Sequence, residues 1–200
     1  MTTYKCEKCE DTGLIFHAAL QALIKCECRR VRQCRQLLET FPRGVPYVTQ
    51  GFQDLEPLKN SIHISASIRD GWGLIRGLLL LHLEEGLSVI HCTVKDLGDA
   101  FNHASKEDDP LGNMDAKIRN CPLLIVSLDS VVKSEAYNSM LHGYLMDRYR
   151  IEKPTWVLQS CPGVVVDHSV ASILAQWPTY KPEGERVLVD EDTGESQEPQ

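Results

Sequence analysis

The stretch SIHISASIRDGWGLIRGLLLLHL, from Ser61 to Leu83, constrains the fold more than any other part of the chain. Ser61 to Ser65 alternate with isoleucines at the period of a short strand, Ile68 to Gly73 predict a turn, and the apolar run from Leu74 to Leu83 predicts a buried helix. A strand feeding a buried helix is half of a βαβ unit, and the pattern recurs downstream. Leu87 to Val94 (LSVIHCTV) is dense in β-branched residues, and a helix is expected over Lys95 to Ala104, beginning near Asp96. Pro122 to Ser127 (PLLIVS) has the continuous apolar character of a strand buried on both faces. Ser134 to Arg150 predicts an amphipathic helix with Glu135 in its first turn, Pro154 to Ser160 (PTWVLQS) a fourth strand, and Ser169 to Gln176 a short last helix. Strand and helix in alternation predict an α/β fold with a parallel sheet and right-handed crossovers.

Strand, turn and helix also form the skeleton of a P-loop, whose turn reads G-x-x-x-x-G-K-[ST]. Its backbone N–H groups and Lys hold phosphates, and its hydroxyl holds Mg²⁺. The equivalent positions here are Ser65, Ala66, Ser67, Ile68, Arg69, Asp70, Gly71 and Trp72. Gly71 and Trp72 replace the Lys and the Ser/Thr, and Asp70 puts a carboxylate where phosphate charge would go. The stretch is therefore either an unrelated βα unit or a nucleotide-binding core without its chemistry.

Two hundred residues allow one substantial core and a small appendage. A net charge of −7 argues against nucleic-acid binding through the overall field, though not against a local basic patch. Met1 to Glu10 is polar, so no signal peptide is expected. No apolar run approaches the ~18–20 residues of a membrane span. The expected location is the cytoplasm.

In such a compartment, eight cysteines read as metal ligands or core thiols rather than disulfides. Cys6-x-x-Cys9 and Cys26-x-Cys28, sixteen residues apart, supply two short chelating knuckles suited to a closed, tetrahedral, structural zinc site. Gly13 stands where a tight turn is needed after the first knuckle. His17 and Cys34 are reserve ligands, more simply read as a loop residue and a packing residue. Cys92, Cys121 and Cys161 read as small buried hydrophobes, because none has a nearby His in sequence to activate it.

Arg29, Arg30, Arg32 and Arg35 follow on a helix running to about Glu39, mostly on an exposed face. A solvated surface, a phosphate-contacting patch and a partner-protein surface all remain open for them. The expected organisation is a zinc module with its basic helix over 1–39, a linker over 40–60, an α/β core over 61–180, and an acidic, disordered tail over 181–200. Phe41, Tyr47 and Phe52 are expected to pin the linker to the core.

These residues resemble the DnaC/DnaI-type replicative helicase loaders and the related IstB-like transposition ATPases, all AAA+ proteins, from about Cys6 to Leu174. The opening Cys6-Glu-Lys-Cys9-Glu-Asp11-Thr12-Gly13, followed by Cys26-Glu-Cys28, looks like the zinc module of phage-type loaders. Pro46, Tyr47 and Phe52 look like their linker, and Glu85 to Leu97 like the second strand and its helix. Cys121 to Val126 looks like the Walker B strand, and Asp147-Arg148-Tyr149 with Lys153-Pro154-Thr155 like the turn into the sensor strand. The resemblance implies an AAA+/RecA-like parallel-sheet core beside a small zinc module, with a replicative helicase as the natural partner.

The departures from the family fall on ATP chemistry. Gly71 and Trp72 hold the Walker A positions, Ser127 and Leu128 those of the two Walker B acids, Cys161 that of the sensor Asn and Ile173 that of the arginine finger. Asp129 is one residue late, and in a strand that shift points a side chain to the other face. Charge neutralisation, metal, water positioning and the finger are thus all missing, so no ATP is expected as cofactor and no ATPase activity.

The leading expectation is a non-catalytic, helicase-loader-like accessory protein of DNA replication or transposition in a bacterial or phage-infected cell. It would contact a replicative helicase or an active AAA+ paralogue, in a mixed oligomer, through the zinc knuckles and Arg29 to Arg35. Two alternatives stand beside it. One is a single-stranded nucleic-acid-binding zinc protein with Trp72 as stacking platform. The other is an ATPase with an unorthodox site built on Arg69 or Lys95.

Overall fold

Five parallel strands make the central sheet: β4 (Ile62–Ala66), β5 (Val89–Thr93), β6 (Leu123–Leu128), β7 (Thr155–Ser160) and β8 (Thr179–Tyr180), in spatial order β5-β6-β7-β4-β8. The strands preceding them are β1 (Leu14–His17), β2 (Ala22–Lys25) and β3 (Tyr47–Thr49). The computed structural model describes residues 6–10, 12–26, 28–41, 45–49, 59–82, 88–104, 112–128, 134–160, 166–181 and 186–188, without side chains for 20, 30, 33, 34, 37, 49, 112 and 186–188.

The helices are α1 (Cys28–Thr40), α2 (Ile68–Leu81), α3 (Val94–His103), α4 (Gly112–Asn120), α5 (Glu135–Arg150) and α6 (His168–Leu174). On one face of the sheet, Leu74 and Leu78 of α2 pack over Ile64, Ile125 and Trp156. On the other, Leu97, Ile118, Leu141 and Val170 of α3 to α6 cover Leu124, Val126 and Val157. Every residue of β6 is buried, as a strand between two helical layers must be. This is the expected α/β parallel-sheet class with an N-terminal cysteine module. The helix after β4 lies on one face and the helix after its neighbour β7 on the other, so the sheet's topological switch point falls between those strands. In open α/β sheets the crevice at the carboxyl ends of the strands at such a point is the usual ligand site.

Several local expectations need correction. Ile68 to Gly73 is not a turn but the start of α2. Ser67 caps it, accepting from the Asp70 N–H (3.1 Å) while its hydroxyl donates to the Asp70 carboxylate (2.8 Å). A Ser-x-x-Asp cap outweighs the two glycines, since four orphan N–H groups need partners at a helix start. Thr93 and Asp96 close a reciprocal capping box that starts α3 directly after β5. Helix α4 was not foreseen, because GNMDAKIRN carries only two large apolar residues. Within the segment expected to be disordered, Arg186–Leu188 forms β9, antiparallel to β3. Residues 189–200 lie outside the described residues.

The linker is partly core. Phe41 and Tyr47 are buried as expected, and Phe52 lies outside the described residues. Strand β3 crosses α2 so closely that a Cβ on Gly77 would stand 2.2 Å from the Tyr47 carbonyl oxygen, which only glycine permits. Arg76 of α2 donates to the Leu38 carbonyl (2.7 Å), placing a cation at the last turn of α1.

Arg148, fully buried, pins the far end of the molecule. It donates to the carbonyls of Ile118 (2.9 Å), Cys121 (3.0 Å) and Pro154 (2.7 Å) and to Thr155 Oγ1 (2.8 Å). A planar fork of donors can satisfy carbonyls from three segments at once; an ammonium cannot.

Candidate functional site

Strands β1 and β2 pair antiparallel, and the knuckles at their open end bring the four cysteines together. Gly13, in the left-handed conformation (φ +72°), lets its N–H donate to Cys9 Sγ at 3.3 Å. Cys6 and Cys26 sulfurs lie 3.7 Å apart, Cys9 and Cys28 sulfurs 3.3 Å apart, and all four fall within 4.8 Å of one another. A Zn–S length of about 2.3 Å puts tetrahedral vertices about 3.8 Å apart, so the set fits one closed, all-thiolate zinc site.

All four are buried and Ile15 packs against them. Burial works to raise the Cys9 thiol, yet hydrogen bonds with Cys28 and the Gly13 N–H bring it down to about 7; burial and Cys9 push Cys28 up. The reserve ligand His17 is exposed on β1, and the Cys34 side chain lies outside the described residues.

The fourth ligand, Cys28, is also the first residue of α1, and the other end of that helix enters the core through Leu38 and Phe41. Arg29 is exposed and its stem lies across Gly13, whereas Arg32 and Arg35 are partly buried, against the expectation of an exposed face. The Arg30 side chain lies outside the described residues. The helix packs toward the core, and that packing takes the middle of the basic run out of full solvent exposure. Sequence reasoning missed the outer face of the hairpin. Phe16 and Leu23 stand directly opposite each other, 62% and 65% exposed, with Leu14 beside them. The alternation in LIFH was a usable signal, since inward Ile15 implies outward Phe16.

At the switch point the crevice is closed. Because a single residue joins β4 to α2, no loop is left to wrap a phosphate. Gly71 lies under Leu158 of β7, so close that a Cβ would meet its Cδ1 at 2.2 Å. Trp72 is 4% exposed, with its ring 4.7 Å from Phe41 and edge-on to His91 at 4.8 Å. What remains is a cleft of 130 Å³ bordered by Trp72, His91, Thr93, Ser127, Leu128 and Ser160.

Ser127 and Leu128 are buried, and Ser127 Oγ is hydrogen-bonded to His91 Nε2 at 3.0 Å. Among the described residues no carboxylate or amine lines this cleft, and neither Arg69 nor Lys95 does. Trp72 is a core residue, so it cannot serve as a stacking platform. Ile173 is 6% exposed and packs in the core rather than on an edge. Cys161 and Asp129 lie outside the described residues. Burial pushes the Cys92 thiol up to about 12, and it also raises Cys121, so both are inert core thiols as expected.

Fold and site together define an α/β protein with a five-stranded parallel sheet, a closed switch point and a four-thiol centre. No family model and no curated protein sequence matches the chain. Among solved structures it is similar to a DNA replication initiation factor, at 16% identity and a TM-score of 0.47 over 82% of this chain and 48% of that one. It is similar to AMPPCP-bound DnaA from Aquifex aeolicus, at 15% identity and a TM-score of 0.46 over 74% of this chain and 45% of that one. It is similar also to the DnaC helicase loader, at 16% identity and a TM-score of 0.44 over 75% of this chain and 78% of that one. The chain thus spans about half the length of the first two. Likeness at this level says nothing of ligands or partners.

Proposed function

We propose that the chain is a non-catalytic accessory protein of DNA replication or transposition, acting in the cytoplasm of a bacterial or phage-infected cell through protein contacts. The observation that carries the non-catalytic part is the closed switch point. Leu158 covers Gly71, Trp72 sits in the core, and no charged group among the described residues borders the remaining cleft. Phosphoryl transfer is catalysed by positioning and by charge stabilisation, and neither has a source there.

The replication part is supported by the motif resemblance in the sequence, with a replicative helicase or an active AAA+ paralogue as partner. The contact surface is the zinc module. Its four thiolates hold structural Zn²⁺, which leaves no open position for substrate, and its hairpin presents Phe16 and Leu23 outward beside Arg29. An all-thiolate zinc orders such a segment and supplies no reaction.

Measuring Mg²⁺-dependent ATP turnover on the zinc-loaded protein tests the first part: none is expected above background, and metal-dependent hydrolysis refutes it. For the second, a helicase or AAA+ protein is expected to co-purify with the wild type and to be lost from Cys6→Ala/Cys9→Ala. A complex that survives this change refutes the surface assignment. The nucleic-acid reading loses support from the burial of Trp72.

A further inference from the structure

A cleft of 340 Å³ opens at the opposite edge of the sheet, where β4, β7 and β8 begin. That volume is at the low end of the ~300–1,000 Å³ typical of small-molecule sites. Its flat apolar faces are the ring of Tyr149, 53% exposed at the end of α5, together with Pro154, Pro178 and Trp177, with Asn60, Ser61 and Gln176 as polar neighbours. Trp177 is only 6% exposed, and among the described residues no acceptor meets its indole N–H. The N–H itself keeps contact with solvent, since it is not among the buried side-chain polar atoms that lack a partner, and a ligand acceptor can reach it.

The charged groups of the cleft are Lys59, ahead of β4, and Glu152 and Lys153 in the turn from α5 to β7. Lys153 Nζ donates to the Asn120 carbonyl, which anchors the ammonium. Glu152 holds a left-handed conformation, φ +54°. Its N–H bonds to the Tyr149 carbonyl and the Lys153 N–H to that of Arg148, which ends α5 in the way a glycine ordinarily does. A side chain kept at such a position is strained, and strain of this sort gathers where a group has a job. Among the described residues the Glu152 carboxylate has no partner.

We propose that this cleft binds a small anion carrying a planar ring, with the chemistry of a nucleoside monophosphate. The ring lies against Tyr149 and the proline faces, and the phosphate is held by Lys59 and Lys153. Sugar or base N–H and O–H groups donate to Glu152, and an acceptor meets the Trp177 N–H. Lys59 and Lys153 supply the counter-charge for the phosphate, so binding is expected without Mg²⁺. This site is separate from the switch point, and it stands or falls apart from the accessory-protein reading, which Mg²⁺-dependent turnover tests.

The experiment is calorimetric titration of AMP, adenosine and inorganic phosphate into the zinc-loaded full chain without Mg²⁺. AMP is expected to bind, with adenosine and phosphate each weaker by about tenfold or more. Tyr149→Ala, a substitution of an exposed ring, is expected to weaken AMP by about tenfold or more, the size of one base–aromatic stack. Glu152→Gly is expected to weaken AMP while the melting temperature holds or rises, an opposition that a purely structural role does not produce. Ile68→Ala, at the switch point, leaves AMP affinity unchanged. No AMP binding at millimolar concentration, phosphate binding as tight as AMP, or an unchanged affinity in Tyr149→Ala would each overturn the proposal.

Discussion

Replacing Trp72 with alanine tests whether the switch point is closed by core packing. The indole is 4% exposed, touches Phe41 and His91 ring to ring, and borders a cleft of 130 Å³. A buried aromatic removes about 150–250 Å² from water. At about 25 cal/mol per Å², that is an upper bound of about 4–6 kcal/mol. Measured Trp→Ala losses in cores run about 3–5 kcal/mol, because the cavity closes only in part. Against a typical domain stability of about 5–15 kcal/mol, the expected loss is about a fifth of the total or more.

Urea unfolding, with the midpoint lowered and the slope unchanged, reads it directly. The space left is apolar and shaped for the lost group, so added indole is expected to restore stability by about 1.4 kcal/mol at ten times its Kd. ATP with Mg²⁺ is expected not to do so, since Gly71 and Leu158 still leave no cation or loop for phosphate. A loss under about 1 kcal/mol, the level of an ordinary surface change, would refute the core assignment. Stabilisation by Mg·ATP would refute the closed site.

Gly77→Ala is expected to cost at least about 1–3 kcal/mol, read as a lowered melting temperature, because its methyl must displace the Tyr47 backbone rather than a flexible side chain. Arg148→Met strands the carbonyls of Ile118, Cys121 and Pro154 and is expected to cost at least about 3 kcal/mol by urea unfolding, with Arg148→Lys recovering little. One zinc per chain is expected by atomic absorption. Its removal by chelator is expected to speed proteolysis within residues 6–26 while the central sheet stays protected, since the sheet has its own core.

Burial holds the His63 imidazole below its ordinary value, against the opposing effect of the hydrogen bond its Nε2 donates to Gln159 Oε1. The unfolded chain therefore takes up this proton first, and stability is expected to fall as pH drops below about 6.5. His63→Gln is expected to flatten the urea midpoint between about pH 7 and 5, and an unaltered pH profile would count against it.

Much of this was legible along the chain. The four strands and the helices after them follow from runs whose neighbours in sequence are also their neighbours in the pattern: PLLIVS is buried on both faces whatever packs there. The cysteine knuckles were equally readable, because two short chelating loops carry their geometry in their spacing. The start of α2 reads as a turn along the chain because Gly71 and Gly73 fall in it, although its cap, Ser67 with Asp70, is local. Helix α4 escaped because its stability comes from elsewhere. Ile118 packs in the core, the Tyr144 hydroxyl of α5 donates to Asp115, and Arg148 donates to the Ile118 and Arg119 carbonyls at its end. The outward Phe16 and Leu23 were missed because a two-stranded register was needed to see them together.

The sequence by itself determined the α/β class and the cysteine donor set. Those are matters of residue type and short-range order. Only the tertiary structure decided what became of the switch point. It laid Leu158 over Gly71, drew Phe41 from the end of α1 onto Trp72 and His91, and left a cleft at the far edge of the sheet. Such outcomes depend on contacts between residues far apart in the chain, whose pairing is set by how strands order and helices pack and has no signature in any one stretch.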